Sequence, residues 1–109
     1  MAEKGKTLEA QETQLRDYEL TLVFSPEVIE EKLEASIAKM SQFITDKKGS
    51  VSSVEQWGKR KLAYPVKHAT EGNYVLARFN LDPRLARELE GNLRISEEVL
   101  RFLLVRLGE

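Results

Sequence analysis

The 109-residue chain has no cysteine and one histidine, His68. The missing thiols exclude a disulfide framework, a thiolate metal site and a cysteine nucleophile together. A lone histidine beside Lys67, in a run of turn residues, reads as a solvated side chain rather than a general base. No apolar run reaches the ~20 residues of a membrane helix, and the opening MAEKGKTLEAQETQ is too polar for a secretory signal. Gly-rich phosphate loops, nucleophile-elbow spacing and metal-ligand spacing are also missing. The expectation is an intracellular, soluble, non-enzymatic protein with no cofactor, metal or small-molecule substrate.

The length admits one domain with one ordinary core. Hydrophobic residues make up 41% and charged residues 32%, a composition that folds. The net charge of −1 is unevenly spread: residues 1–58 carry 11 acids and 7 bases, whereas residues 59–109 carry 7 acids and 10 bases, with seven of the eight arginines. Such polarity fits a surface that faces a polyanion, and equally solvated charge on an ordinary surface. The first 15 residues lack apolar periodicity and read as a flexible extension, placing the single domain at 16–109.

Tyr18, Leu20, Leu22 and Phe24 alternate with Glu19, Thr21 and Val23, the period of a strand. Ser25 and Pro26 suit the cap and first turn of a helix. Ile29, Leu33, Ile37, Met40 and Ile44 fall on one stripe, with Glu27, Glu30 and Glu31 at the positive end and Lys47 and Lys48 at the negative end. Gly49 is expected to supply the left-handed residue that stops this helix. Glu30, Glu31 and Glu34 read as its solvated face.

A long strand is predicted over Ser50 to Val66, with a bulge at Trp57-Gly58, then a turn over Lys67 to Asn73 and a strand from Tyr74 to Leu81. Asp82 and Pro83 open a second helix carrying Leu85, Leu89 and Leu93, and Val99 to Leu107 is the last strand. The order strand, helix, strand, strand, helix, strand interleaves two right-handed crossover units. It predicts a ferredoxin-like α+β sandwich, a four-stranded antiparallel sheet with both helices on one face.

Chemistry concentrates in Trp57-Gly58-Lys59-Arg60-Lys61-Leu62-Ala63-Tyr64-Pro65-Val66-Lys67. On a strand, Lys59 and Lys61 share one side and Arg60 takes the other. Lysine offers a point charge to phosphate and arginine a planar fork, while flanking aromatics suit irregular or single-stranded RNA. The same residues could instead protect a sheet edge and pack on the sheet.

The string WGKRKLAYPVK resembles the signature of the S-six family of bacterial small-subunit ribosomal proteins. RDYELTLVFSP, EGNYVLARFNLDP and LRISEEVLRFLLVRL occur in that family's order and spacing, so the resemblance covers residues 16–107. Lys61 stands where arginine is common and Val66 where isoleucine is common. The segment before Arg16 is longer than is typical, and the tail of many members is lacking. The resemblance implies a ferredoxin-like structural constituent of the small subunit that binds the central domain of small-subunit ribosomal RNA. It also implies a heterodimer with small-subunit protein S-eighteen rather than a homo-oligomer, on a cytoplasmic or organellar ribosome.

At matching positions, Lys59, Arg60 and Lys61 are implied phosphate contacts, with Arg16, Arg94 and Arg101 as further RNA contacts. Trp57 and Tyr64 are expected to shape the sheet surface or face the partner. Two other readings share the element order. An RNA-recognition module requires a base-Gly-aromatic pattern on its third strand, where Glu71-Gly72-Asn73 stands instead. A small-ligand regulatory domain predicts a homodimer.

Overall fold

In the computed structural model, which describes residues 15–108, the alternating segment Arg16–Phe24 forms the first strand, β1. There follow α1 (Glu30–Asp46), β2 (Ser50–Val66), β3 (Ala69–Leu81), α2 (Pro83–Arg94) and β4 (Val99–Arg106), in the predicted order. The predicted extension lies, up to residue 14, outside the described residues. The strands form one four-stranded antiparallel sheet in the order β2-β3-β1-β4. Both helices contribute to one core on one side of it, which is the ferredoxin-like sandwich.

Register builds that core. Tyr18, Leu20 and Leu22 on β1 stand opposite Phe79, Ala77 and Val75 on β3, and all six are buried. Directly opposed residues share a face, so the period-two apolar set becomes a continuous floor. The Tyr18 and Phe79 rings stack at 5.9 Å between centroids. Leu33, Met40 and Ile44 from α1 and Ala86 and Leu89 from α2 cover this floor. Val23 points to the other face and is buried as well, because its Cγ1 packs against the backbone of Gly72.

Two expectations for α1 are corrected. Ser25 and Pro26 belong to a turn closed by the Val28 N–H donating to the Ser25 carbonyl at 3.1 Å, and the helix begins only at Glu30. Ser25 Oγ accepts from the Glu27 N–H, inside that turn, so it is spent before the helix starts. Ile29 is therefore the N-cap residue, 58% exposed, and drops out of the buried stripe. At the other end, Lys48 (φ 71°), not Gly49, adopts the left-handed conformation. Gly49 is needed for space: a Cβ there would lie 2.2 Å from the Asn80 carbonyl oxygen.

The β2–β3 hairpin also differs from expectation. Its turn is only Lys67 and His68, with φ of 49° and 68°, so β3 starts at Ala69 rather than Tyr74. Positive φ at both central residues is the type I′ geometry whose twist suits a two-residue hairpin. Phe24, the last residue of β1, pairs with Asn73, so β2 and β3 continue beyond the end of β1 as a projecting arm. The predicted irregularity near Trp57 is present as a register shift between Gln56 and Gly58. At α2 the predicted cap forms, with the Arg84 N–H donating to Asp82 Oδ1 at 2.9 Å and Pro83 in the first turn.

Candidate nucleic-acid interface

The basic run occupies the exposed edge strand β2 where the hairpin leaves the body of the sheet. Lys59 and Lys61 stand opposite Asn73 and Glu71, and Arg60 opposite Gly72, which separates the two lysines from the arginine as alternation requires. A carboxylate residue, Glu71, stands opposite Lys61, while none stands opposite Lys59 or Arg60.

Uninterrupted alternation would place Trp57 with the lysines. The extra residue at the Gln56–Gly58 bulge reverses its side, and the Arg60 guanidinium lies 5.5 Å from the Trp57 ring centroid. The indole N–H donates to Glu55 Oε1 at 3.0 Å, fixing the ring beneath the arginine. Trp57 remains 45% exposed, so the pair is presented to solvent.

At the tip, a second arginine is held in the same way by residues far apart in sequence. Arg101 Nη1 donates to the Tyr64 hydroxyl at 2.9 Å, and its guanidinium lies 5.7 Å from the Tyr64 ring centroid. Lys67 Nζ donates to the Val99 carbonyl at 3.4 Å, and Arg94 lies over the Phe102 ring at 5.8 Å. The hairpin arm thus leans across the end of β1 to reach the start of β4. Gly72 permits the lean: a Cβ there would lie 2.4 Å from Val23 Cγ1 and 3.6 Å from Leu100 Cδ1.

Lys59, Asn73, Phe24 and Val99 form one register row, so the basic run and the start of β4 are about 14 Å apart at ~4.8 Å per strand. Lys59, Arg60, Lys61, Arg94 and Arg101 consequently gather at one end of the molecule. Lys67, a turn residue in the sequence reading, joins them, and only the lean of the hairpin reveals it. Arg16 does not join them. It starts β1 at the opposite end, about 27 Å from Phe24 at ~3.4 Å per residue, with Nη1 donating to the Leu15 carbonyl and Nε buried without a partner among the described residues.

Two other arginines are occupied by carboxylates, Arg78 by Glu19 and Arg84 by Asp82, each at 2.9 Å. A cleft of about 340 Å³ between the helices carries polar groups that satisfy each other, Ser36 Oγ donating to Glu98 Oε1 at 2.8 Å. Among the described residues no cluster of three or more His, Asp or Glu side chains could hold a metal. Among the same residues no helix is long and apolar enough to cross a membrane.

The profile of the family described as ribosomal protein S6 matches residues 17–106. The small ribosomal subunit protein bS6 of Moorella thermoacetica is 44% identical over 95 residues, covering 87% of this chain and 97% of that protein. The corresponding protein of Dehalococcoides mccartyi is 38% identical over 105 residues, 96% of each chain. The crystal structure of the 30S ribosomal protein S6 from Thermotoga maritima superposes with a TM-score of 0.79 at 33% identity, covering 85% of this chain and 88% of that one. The chain belongs to the ribosomal protein S6 family, structural proteins of the bacterial-type small subunit on the cytoplasmic ribosome, not enzymes.

Proposed function

We propose that this protein binds the central domain of small-subunit ribosomal RNA as a heterodimer with small-subunit protein S-eighteen. Lys59, Arg60 and Lys61 contact phosphates, Arg94 and Arg101 extend that surface, and Arg16 makes a separate contact at the far end of β1. Trp57 and Tyr64 hold arginines in place rather than read bases. The observation that carries the reading is Arg60, exposed on the projecting hairpin, stacked on Trp57 and in no salt bridge among the described residues.

Charge argues for a partner. Cations that neutralise phosphates supply most non-specific RNA affinity. A chain with a net charge of −1 has little such affinity to offer alone, so a basic partner must supply the remainder. Arg60→Ala is expected to weaken assembly with a central-domain RNA fragment in the presence of the partner and to leave the melting temperature close to wild type. Exposed charges contribute little to folding, so the two readouts separate. A large drop in melting temperature would make Arg60 structural, and unchanged assembly would remove it from the interface.

A further inference from the structure

Between the hairpin turn, the end of α2 and the start of β4 lies an open groove of about 410 Å³, lined by Lys67, Leu93, Arg94, Val99, Leu100, Arg101 and Phe102. Lys67, Arg94 and Arg101, from the turn, α2 and β4, all line it, and none forms a salt bridge among the described residues. The nearby Glu98 lines the cleft between the helices instead and is bonded to Ser36. Each cation is steadied by an uncharged group: Lys67 by the Val99 carbonyl, Arg94 by the Phe102 ring and Arg101 by Tyr64. Aromatic stacking and a neutral acceptor orient a cation without neutralising it, so the charge stays available to a ligand.

We propose that this groove holds a backbone phosphate of the bound RNA, gripped by Lys67, Arg94 and Arg101, a contact distinct from the run Lys59–Lys61. It rests on the RNA-binding reading above. Two guanidinium forks and one ammonium match the non-bridging oxygens of a phosphodiester. The apolar wall of Leu93, Val99, Leu100 and Phe102 fits the adjoining sugar better than it fits an isolated carboxylate. The groove also continues the cationic track. From Lys59 to Lys67 the hairpin spans roughly 27 Å at ~3.4 Å per residue, room for several successive phosphates.

The test compares two triple variants of the full chain, Lys67→Ala/Arg94→Ala/Arg101→Ala and Lys59→Ala/Arg60→Ala/Lys61→Ala. Each is titrated with a central-domain RNA fragment in the presence of the partner protein over a range of salt. Loss of the groove cations is expected to weaken binding about tenfold or more and to flatten the dependence of log K on log salt by about 1. Arg94→Lys/Arg101→Lys, which keeps the charge, is expected to keep the wild-type salt dependence, and it still informs if the alanine variant does not fold. If the groove variant matches wild type while the strand variant loses RNA, the groove assignment falls and the RNA-binding reading stands. If wild type itself fails to bind RNA with the partner, the underlying reading falls. Loss of partner binding without RNA in the groove variant would make the groove a protein contact and overturn the phosphate.

Discussion

Asp82 illustrates how one side chain can join two levels of structure. Its carboxylate caps α2 through the Arg84 N–H and also receives the Arg84 guanidinium, at 2.9 Å to Oδ2. Those hydrogen bonds, the guanidinium foremost, hold its pKa below the ordinary 3.8. A carboxyl whose folded pKa is depressed stabilises the fold fully above its unfolded value and loses that contribution as pH falls through the folded value. Asp82→Ala is therefore expected to cost about 1 kcal/mol at neutral pH, the usual loss for an N-cap. In urea denaturation the gap from wild type should narrow well below the carboxylate range. A gap that stays constant with pH would show that the ionised carboxylate is not its source.

Among the elements, α1 separates a hydrophobic stripe from the residues that end it. Leu33 and Ile29 look equivalent at four-residue spacing, yet Leu33 is buried against the sheet and Ile29 is exposed at the N-cap. Leu33→Ala is expected to cost roughly 2–5 kcal/mol. Ile29→Ala should stay within about 0.5 kcal/mol. Equal losses in denaturant titrations would return Ile29 to the core. The periodicity was legible because the sheet fixes which stripe a helix buries. The start was not, because Ser25 and Pro26 serve a tight turn as well as they serve a helix N-terminus. The bulge at Trp57 was similarly readable as a break but not as a reversal of face. That reversal, which sets the Trp57–Arg60 pair, depends on which residue the partner strand leaves unpaired.

For the whole molecule the decisive feature is the lean of the β2–β3 arm over the end of β1, along a body 56 Å in its longest dimension. The arm gathers cations from β2, the turn, α2 and β4 at one end while the chain as a whole stays slightly acidic. Binding to a central-domain RNA fragment is accordingly expected to be weak and salt-sensitive for the protein alone, and tight in the presence of the proposed basic partner. Full affinity from the isolated protein would count against the cooperative picture, and sizing of the purified protein as a stable homodimer would count against the heterodimer.

Composition and periodicity alone determined the element order, the core stripes of β1 and α2, the Asp82 cap and the concentration of arginines in the second half. Each is local, carried by alternation, by helical spacing or by a side chain within a few residues of the group it serves. The meeting of Tyr64 with Arg101, and of Lys67 with Val99, was decided by tertiary structure alone. These partners are separated by more than thirty positions and are brought together by a hairpin whose lean depends on Gly72 lying flat against Val23. The exclusion of Arg16 from the cationic end was decided in the same way. A strand of nine residues carries its two termini to opposite ends of the sheet, whatever charge they bear.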